Sequence, residues 1–396
     1  MSASLSSTTR IAARCRHFGS CGGCALQDIN YEDQLSLKSR KVGDLLASLG
    51  LSISKTHASP ESWYYRNKME FSFGDVYPPV EGGPTTLLGL KAKGRWFDVL
   101  NLQECHLLSK EAGALLSSVR AWAEKERVPP YNSRKHTGML RHMVVREAKN
   151  GKDRLVSLIT APGELPKESF LKAVHEHYPA TTVLWGVNGK ISDTAIPDSS
   201  GTLEGPGFIV ETLRFPEGEL RFKISPQAFF QTNTLGAQTL YGILRSWVKE
   251  SGAKNVLDLY CGGGGITLSV AAICEEAAGV ESNPSAIADA KANAELNGLT
   301  NAKFFAGQVE TLLPSLIAMG AQAAIVDPPR AGLHRKALDV LLASGPQTIF
   351  YVSCNPEALA RDLGLMKEVY AAQRVEVVDL FPHTEHVETV VWLKRV

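Results

Sequence analysis

A tetrapeptide near the C-terminus carries the side chain best placed for covalent chemistry. Ser353-Cys354-Asn355-Pro356 follows the apolar run 348–352, which the pattern predicts to be a buried strand. In an open α/β sheet, ligands bind outside the carboxyl ends of the strands, so a thiol on this turn can act as a nucleophile. A cysteine in such a position is also often a small core residue. Its role therefore depends on what else the sheet brings to the same edge.

Acids and imidazoles follow in the segment 383–388. Carbon 5 of a pyrimidine is a poor nucleophile, but a thiolate that adds at carbon 6 turns the ring into an enolate able to accept a methyl group. A base must then remove the proton at carbon 5 so that the thiolate can leave. Glu388 and Glu385 are the candidate bases, with His383 and His386 nearby. The alternative is that all four are surface groups at a strand edge.

Several strand ends together predict a site for a methyl donor. The strand 255–260 leads into the glycine run 261–265, where the backbone can approach a ligand closely. The next strand ends at Glu281, whose carboxylate can bridge two ribose hydroxyls. A third strand leads to Gln308, a position whose side chain usually lies beside the adenine of the bound cofactor. Asp327 begins the turn after the fourth strand. The run is neither G-x-G-x-x-G nor a P-loop, so the combination favours S-adenosylmethionine over a nicotinamide cofactor.

The turn that begins at Asp327 also indicates which atom is methylated. Two prolines follow and then Arg330, at a place where amino-group methyltransferases carry an aromatic residue that stacks on the target base. The arginine argues against methylation of an amine and favours methylation of carbon.

Four cysteines far from this region predict a metal site. They are Cys15, Cys21, Cys24 and Cys105, spaced C-x5-C-x2-C with one distant partner. This spacing suits a four-thiolate site for iron–sulfur or zinc, and iron–sulfur is favoured. A disulfide is not expected, because nothing in the sequence indicates an oxidising compartment. His17 and His106 are expected to lie outside the ligand set.

The predicted elements divide the chain into three parts. Residues 1–54 hold the cysteine segment and a helix at 31–49, and residues 55–225 form an α+β RNA-binding module that contributes Cys105 to the cluster. From residue 226 strands and helices alternate, which predicts a doubly wound, Rossmann-like α/β methyltransferase domain over 226–396. Asn233 is the predicted N-cap of its first helix.

Composition bounds the class of protein and of partner. The 396 residues are 44% hydrophobic and 21% charged, and no apolar stretch approaches membrane-spanning length. We therefore predict a cytoplasmic monomer without membrane contact. Residues 1–225 contain 29 Lys and Arg against 24 Asp and Glu, whereas residues 226–396 contain 13 against 17. A basic part joined to an acidic part favours a polyanionic partner such as RNA, which the basic residues of 1–225 would bind.

These motifs, in this order, resemble the RNA uracil-5-methyltransferases, a family that makes 5-methyluridine in tRNA and ribosomal RNA. The resemblance covers nearly the whole chain. The matching segments are the four cysteines, Phe229-Phe230-Gln231, Asp258-Leu259-Tyr260-Cys261-Gly262, Val280-Glu281, Asp327-Pro328-Pro329-Arg330, Ser353-Cys354-Asn355-Pro356 and His386-Val387-Glu388-Thr389.

The resemblance implies roles for individual residues. Cys354 would be the nucleophile and Glu388 the base, with S-adenosylmethionine as the donor, and Phe229 would lie against the target base. Donor contacts would come from Gln231, Tyr260, Gly265, Glu281, Gln308 and Asp327. The four cysteines match the members of the family that carry a [4Fe-4S] cluster, which would be structural because methyl transfer requires no electron.

The expected substrate is a uracil in RNA, with 23S rRNA favoured and tRNA as the alternative. Some family members begin with a small β-barrel RNA-binding domain, whereas here the cysteine segment comes almost at once, so we expect the central module to hold RNA. Three other functions stay open. The first is an RNA cytosine-5-methyltransferase, which would need a second cysteine-bearing motif. The second is a non-catalytic RNA-binding factor, in which the donor site would be vestigial. The third is an iron–sulfur redox protein, which would need a second electron carrier.

Overall fold

The computed structural model describes residues 9–76 and 85–396. The chain folds into two units. The first unit consists of Met1–Asn30, Glu61–Glu211 and Ile224–Gln227, and the second of Tyr31–Pro60, Thr212–Lys223 and Ala228–Val396. Each unit contains its own cluster of buried apolar side chains. Within the described ranges, no helix is long and apolar enough to cross a membrane.

Helices and strands are numbered along the chain. The helices are α1 (Tyr31–Ala47), α2 (Ala112–Lys125), α3 (Lys167–His175), α4 (Thr234–Ser251), α5 (Gly265–Ala271), α6 (Pro284–Leu296), α7 (Val309–Ala318), α8 (Arg335–Ser344) and α9 (Pro356–Met366). The strands are β1 (Lys55–His57), β2 (Lys68–Asp75), β3 (Thr86–Gly89), β4 (Lys91–Ala92), β5 (Arg95–Val99), β6 (Leu140–Glu147), β7 (Arg154–Thr160), β8 (Thr182–Val187), β9 (Ser199–Glu204), β10 (Ile209–Phe215), β11 (Gly218–Ile224), β12 (Asn255–Leu259), β13 (Glu276–Glu281), β14 (Ala302–Ala306), β15 (Ala323–Val326), β16 (Thr348–Ser353), β17 (Tyr370–Val378) and β18 (Glu388–Arg395).

An eight-stranded sheet forms the centre of the second unit, in the order β1-β17-β18-β16-β15-β12-β13-β14. The strands from β12 to β16 pair in parallel, and the order reverses at β12, which lies between β13 and β15. All residues of β15 and β16 are buried, as expected for strands covered on both faces. The predicted doubly wound α/β core is therefore present. Asn233 caps α4 as predicted, because its side chain accepts a hydrogen bond from the backbone N–H of Gly236.

The first helix and strand belong to the second unit, which differs from the predicted division at residue 54. Strand β1 pairs in parallel with β17, with Lys55 opposite Glu376. Val42 and Leu46 of α1 join the apolar core of that unit. The segment Thr212–Lys223, predicted to lie in the central module, also belongs to it. Pairing between positions so far apart in the chain leaves no local pattern in the sequence, so the predicted boundaries could not reflect it.

The first unit is an α+β structure built on a six-stranded sheet in the order β3-β2-β6-β7-β8-β9. Its pairs are antiparallel apart from β7 and β8, which run in parallel and are connected through α3. Helix α2 was not predicted, and its side chains Leu115, Leu116, Val119 and Trp122 pack into the core of this unit.

Candidate active site

The parallel strands of the second unit deliver predicted site residues to one edge of the sheet. These residues are Tyr260 after β12, Glu281 at the end of β13, Gln308 after β14, Asp327 after β15 and Cys354 after β16. Because the strands are parallel, their carboxyl ends share an edge, and the reversal of order at β12 opens a crevice there. The positions at strand ends are those that the sequence pattern predicts, while the roles of these residues stay predictions.

Hydrogen bonds on either side fix the turn that carries Cys354. Ser353 Oγ accepts from Asn355 N at 3.1 Å and donates to Asn355 O at 3.0 Å. Asn355 Oδ1 accepts from Glu357 N at 3.2 Å, which caps α9, and Asn355 Nδ2 donates to the carbonyl of Arg330 at 2.7 Å. Asn355 therefore ties the cysteine turn to the turn after β15. The Cys354 side chain lies half-buried at this point.

The strand β18 brings a carboxylate to the same edge. It lies between β16 and β17 and runs antiparallel to both, so its first residue lies where β16 ends. Ser353, the last residue of β16 and the neighbour of Cys354 in the chain, pairs with Thr389, and Glu388 pairs with Val378 of β17. Glu388 is 4% exposed. The thiol and the carboxyl are distant in the sequence, yet they lie close enough for the charge of Glu388 to raise the pKa of Cys354.

Two carboxyls, a thiol and a guanidinium influence one another at this edge. Burial raises the pKa of Glu388 well above its usual range, and the charge of Asp327 raises it further while Arg330 lowers it. Burial raises the pKa of Asp327 to about 7. The pKa of Cys354 is raised by burial and by Glu388 and Asp327, whereas Arg330 lowers it. Burial therefore disfavours the charged form of all three acids, and a cation beside them would favour ionisation.

The loop after β12 has a backbone that suits glycine. Gly262 and Gly264 have φ angles of 52° and 80°, which glycine adopts without strain. The Glu281 carboxylate accepts from Gly262 N at 3.3 Å and from Asn283 N at 2.8 Å. Glu281 therefore holds the glycine loop against the end of β13.

A tyrosine that the sequence analysis did not identify lies among the acidic groups. Gly265 begins α5, and a Cβ there would lie 2.8 Å from the hydroxyl oxygen of Tyr241 in α4. The pKa of Tyr241 is raised by burial and by the charges of Asp327, Asp258 and Glu388, so its hydroxyl lies near all three. An aromatic residue in an amphipathic helix is normally core, so the sequence carried no signal for this position. Gly265 itself is required by close packing.

Two buried polar atoms near the glycine loop have no hydrogen-bond partner of normal geometry in the described residues. They are Tyr260 Oη and Asp258 Oδ1. The other oxygen of Asp258 accepts from Thr267 Oγ1 at 2.6 Å, and burial raises the pKa of Asp258 to about 7. Tyr260 has a φ of 67°, which is unusual for a residue with a side chain. Backbone groups of His334 and Thr267 nevertheless interact with Tyr260 and Asp258 respectively and favour their charged forms, so both side chains have polar neighbours.

The remaining predicted residues differ in exposure. Phe229 is 66% exposed, and a Cβ at Gly262 would lie 3.4 Å from its Cδ1 atom, so its ring lies over the glycine loop. Gln231 is half-buried. Gln308 is exposed at the N-cap position of α7, where its side chain makes no capping hydrogen bond. The exposed ring of Phe229 is available to stack on a planar group.

The four predicted metal ligands lie together in the first unit. Cys15, Cys21, Cys24 and Cys105 are free thiols that line one cavity. Arg16 N donates to the Glu104 carboxylate at 3.0 Å and Gln103 N donates to His17 Nε2 at 3.1 Å, which joins the two cysteine segments. Burial raises the pKa of all four thiols, and Cys105 raises the pKa of the other three.

These four thiols are not grouped closely enough to bind a single metal ion. Across residues 9–76 and 85–396, no three His, Cys, Asp or Glu side chains are grouped so that they could hold one metal ion. The predicted four-thiolate site stays a prediction. His17 accepts a backbone hydrogen bond through Nε2, so that nitrogen is already engaged.

Known proteins are similar to this chain in both sequence and fold. The family described as tRNA (Uracil-5-)-methyltransferase matches residues 203–396. An uncharacterized RNA methyltransferase from Clostridium tetani is 37% identical over 98% of this chain and 84% of its own length. The crystal structure of Pyrococcus abyssi tRNA (uracil-54, C5)-methyltransferase in complex with S-adenosyl-L-homocysteine has a TM-score of 0.78 and 30% identity, over 95% of this chain and 86% of that one. The chain belongs to the RNA uracil-5-methyltransferase family.

Membership of the RNA uracil-5-methyltransferase family confirms the resemblance drawn from the motifs. Another relative, an uncharacterized RNA methyltransferase from Caldanaerobacter subterraneus, is 36% identical over 97% of this chain and 85% of its own length. The protein is therefore an RNA methyltransferase. Its relatives do not support the alternatives of a redox protein or a non-catalytic binding factor.

Proposed function

We propose that this RNA uracil-5-methyltransferase uses S-adenosylmethionine to form 5-methyluridine in RNA, with Cys354 as the nucleophile and Glu388 as the base. The observation that carries the proposal is the meeting of a half-buried thiol and a buried carboxyl at the carboxyl edge of one sheet. Thiolate addition at carbon 6 and removal of the proton from carbon 5 need both groups within reach of one uracil ring.

The donor would bind in the crevice at the glycine loop. When bound, S-adenosylmethionine supplies a methyl group on a positively charged sulfur that a carbon nucleophile can attack. The Glu281 carboxylate and Asp327 fit a polar and cationic ligand, and Tyr260 is proposed as a further contact. The further donor contacts that we propose are Gln231, Gly265 and Gln308. Phe229 would stack on the target base.

The chain's own residues then account for each bond that changes. The Cys354 sulfur forms a bond to carbon 6 of uracil, and the electron pair of the C5–C6 double bond moves to the ring carbonyl as an enolate. Carbon 5 accepts the methyl group. Glu388 removes the proton that remains at carbon 5, the double bond forms again, and the carbon–sulfur bond breaks to return the thiolate. A carboxylate with a raised pKa is a stronger base for this proton, which suits the burial of Glu388.

Analysis of labelled nucleosides tests the activity directly. The purified protein would be incubated with unmodified RNA transcripts and S-adenosylmethionine carrying a deuterated methyl group, and the digested RNA would be analysed by mass spectrometry. We expect labelled 5-methyluridine. Labelled 5-methylcytidine would instead establish the cytosine-5 activity, and label at a nitrogen would contradict a mechanism that uses Cys354.

The RNA target is proposed to be 23S rRNA, with tRNA as the second candidate. The similarity to the Pyrococcus abyssi enzyme, a tRNA (uracil-54, C5)-methyltransferase, is the observation that favours tRNA. Comparison of 5-methyluridine positions in cells with and without the gene separates the two. Loss of one position in 23S rRNA would support the first, and loss from tRNA alone would support the second.

RNA would be held in part by the first unit. A groove of about 600 Å³ in this unit is lined by Lys110, Lys149, Lys152 and Arg154 together with Tyr64, and also by Glu111 and Glu147. Two of the four cations are paired with these carboxylates, Lys149 with Glu147 at 2.7 Å and Arg154 with Glu111 at 3.5 Å. Clustered cations can neutralise phosphates, and an aromatic side chain among them can stack on an unpaired base. This surface supports the proposal that the module between the cysteine segment and the methyltransferase domain binds RNA.

We also propose that the four cysteines bind a [4Fe-4S] cluster. Their support is the common cavity that they line and the hydrogen bonds that hold the segment 15–24 to the segment 103–105. A single zinc ion requires its ligands to converge on one point, whereas a cluster takes one thiolate at each of four iron atoms. The cluster would stabilise this part of the first unit.

Protein purified without oxygen is expected to be brown and to contain about four iron atoms and four sulfides per chain. Cys105→Ser removes one ligand and is expected to lower the iron content, the visible absorbance and the midpoint temperature of unfolding. Cys274→Ser, which changes a cysteine of the second unit, is the matched control and should retain the iron. Colourless protein with one zinc ion per chain would contradict the cluster.

A further inference from the structure

The loop 379–387 joins β17 to β18 and leads directly into Glu388. Glu388 is the first residue of β18 and pairs with Val378, so its position depends both on this pairing and on the conformation of the loop that precedes it. His383 in the loop has a φ of 66°, a conformation that costs free energy in a residue with a side chain. Contacts from outside the loop must therefore hold it.

Two buried side chains of α1 provide such contacts. Lys38 Nζ donates to Asp379 Oδ1 at 2.7 Å and to the carbonyl of Phe381 at 2.9 Å. Gln34 Oε1 accepts from His383 N at 2.8 Å, and its Nε2 lies 3.1 Å from His383 Nδ1. Gln34 and Lys38 are 0% and 4% exposed. They are four residues apart and so lie on the same face of the helix.

Contacts within the loop continue this network. Asp379 Oδ1 also accepts from Phe381 N at 3.0 Å. Thr384 Oγ1 donates to the carbonyl of Phe381 at 2.8 Å and accepts from His386 N at 3.2 Å. The Phe381 carbonyl is thus held by both Lys38 and Thr384. A disturbance at Lys38 would reach the residues next to Glu388 through this carbonyl.

We propose that Gln34 and Lys38 are positioning residues that fix the loop 379–387 and so align Glu388 for removal of the carbon 5 proton. This inference rests on the proposed function. Buried ion pairs seldom stabilise a fold more than apolar side chains of similar size would, so the Lys38–Asp379 pair is better explained by the geometry that it imposes. The Cys354 turn is held by a separate set of hydrogen bonds, from Ser353 and Asn355. Loss of Gln34 or Lys38 should therefore affect the last step and leave thiolate addition and methyl transfer largely intact.

The step-specific effect can be measured with RNA that contains ordinary uridine. Lys38→Met and Gln34→Leu would each be incubated with this RNA and S-adenosylmethionine, and protein linked covalently to RNA would be quantified after denaturation. We expect a methylated RNA–protein adduct to accumulate and its decay to slow by about 10- to 100-fold, because small misplacements of a catalytic group have effects of this size. The KM for S-adenosylmethionine should stay within about twofold of the wild-type value.

Two further variants separate positioning from folding. Lys41→Met changes an exposed lysine of the same helix and should behave like the wild type. Lys38→Met combined with Asp379→Leu removes both buried charges, so it should fold even if Lys38→Met alone does not, and it should still accumulate the adduct because the contacts to Phe381 are absent.

The outcomes distinguish this inference from the proposed function. Failure of the wild type to form an adduct with RNA containing 5-fluorouridine would contradict the proposed function itself. If the wild type forms that adduct, equal slowing of all steps in Gln34→Leu and in the double variant would overturn the positioning role. Unchanged decay of the adduct in those two variants would overturn it as well.

Discussion

Replacement of Cys354 with alanine is expected to lower 5-methyluridine formation by at least about 10⁴-fold, because carbon 5 of uracil then has no route to the enolate. The measurement is transfer of labelled methyl groups to RNA under single-turnover conditions. With RNA that contains 5-fluorouridine, the wild type should form a denaturation-resistant adduct, since fluorine at carbon 5 cannot leave as a proton does. Cys354→Ala should form none.

The matched control for this variant is Cys274→Ala, which changes another half-buried cysteine of the second unit. It should keep full activity and form the adduct. Substantial methylation by Cys354→Ala, with intact donor binding, would mean that the reaction does not pass through this thiol.

The thiol should also show a characteristic dependence on pH. Burial, Glu388 and Asp327 raise the pKa of Cys354 above its usual value, so the thiolate fraction in the free protein increases with pH throughout the neutral range. Alkylation of Cys354 by iodoacetamide should therefore accelerate about tenfold per pH unit between about pH 6.5 and 8.5. A flat profile would show that the thiol is already ionised.

The second large effect is expected for Glu388→Gln. Methyl transfer can proceed without the carboxylate, but the carbon 5 proton then stays in place and the carbon–sulfur bond cannot break. Release of product should fall by about 10³-fold, and nearly every active protein molecule should end covalently attached to RNA that contains ordinary uridine. Gel analysis under denaturing conditions, with labelled donor, measures both the adduct and its methyl group.

Glu385→Gln provides the control, because Glu385 lies on the same loop but is exposed. It should release product normally. If instead Glu385→Gln accumulated the adduct and Glu388→Gln did not, the assignment of the base would pass to Glu385, which the sequence alone left as an alternative.

Much of the site follows from local sequence because it is built on strand ends. Apolar runs locate β12 to β16, and the residue after each run, such as Asp327 or Cys354, lies at the carboxyl edge by the geometry of a parallel sheet. Asn233 is recognisable as a cap for the same local reason. Predictions of this kind need only a few neighbouring residues.

Other parts of the site depend on contacts that local sequence does not encode. Lys38 meets Asp379, 341 residues away, and nothing near Lys38 distinguishes it from a surface lysine of an amphipathic helix. The position of Glu388 beside Cys354 depends on where β18 enters the sheet. The spacing of apolar residues in α4 predicts that Tyr241 is a core residue, and only the folded structure shows the acidic groups around it. The resemblance of the motifs identified Glu388 as the candidate base, but it did not explain why this residue lies near Cys354 in the folded protein.

The place of β18 also governs how the protein must be made. This strand lies between β16 and β17 yet follows both in the chain, so the sheet cannot close in the order of synthesis. Until residues 388–395 leave the ribosome, β16 presents an unpaired apolar edge of the kind that aggregates or recruits chaperones. Entry of β18 completes the sheet and delivers Glu388 in one event. If Cys354 and Glu388 have the proposed roles, a nascent chain has its nucleophile in place before its base.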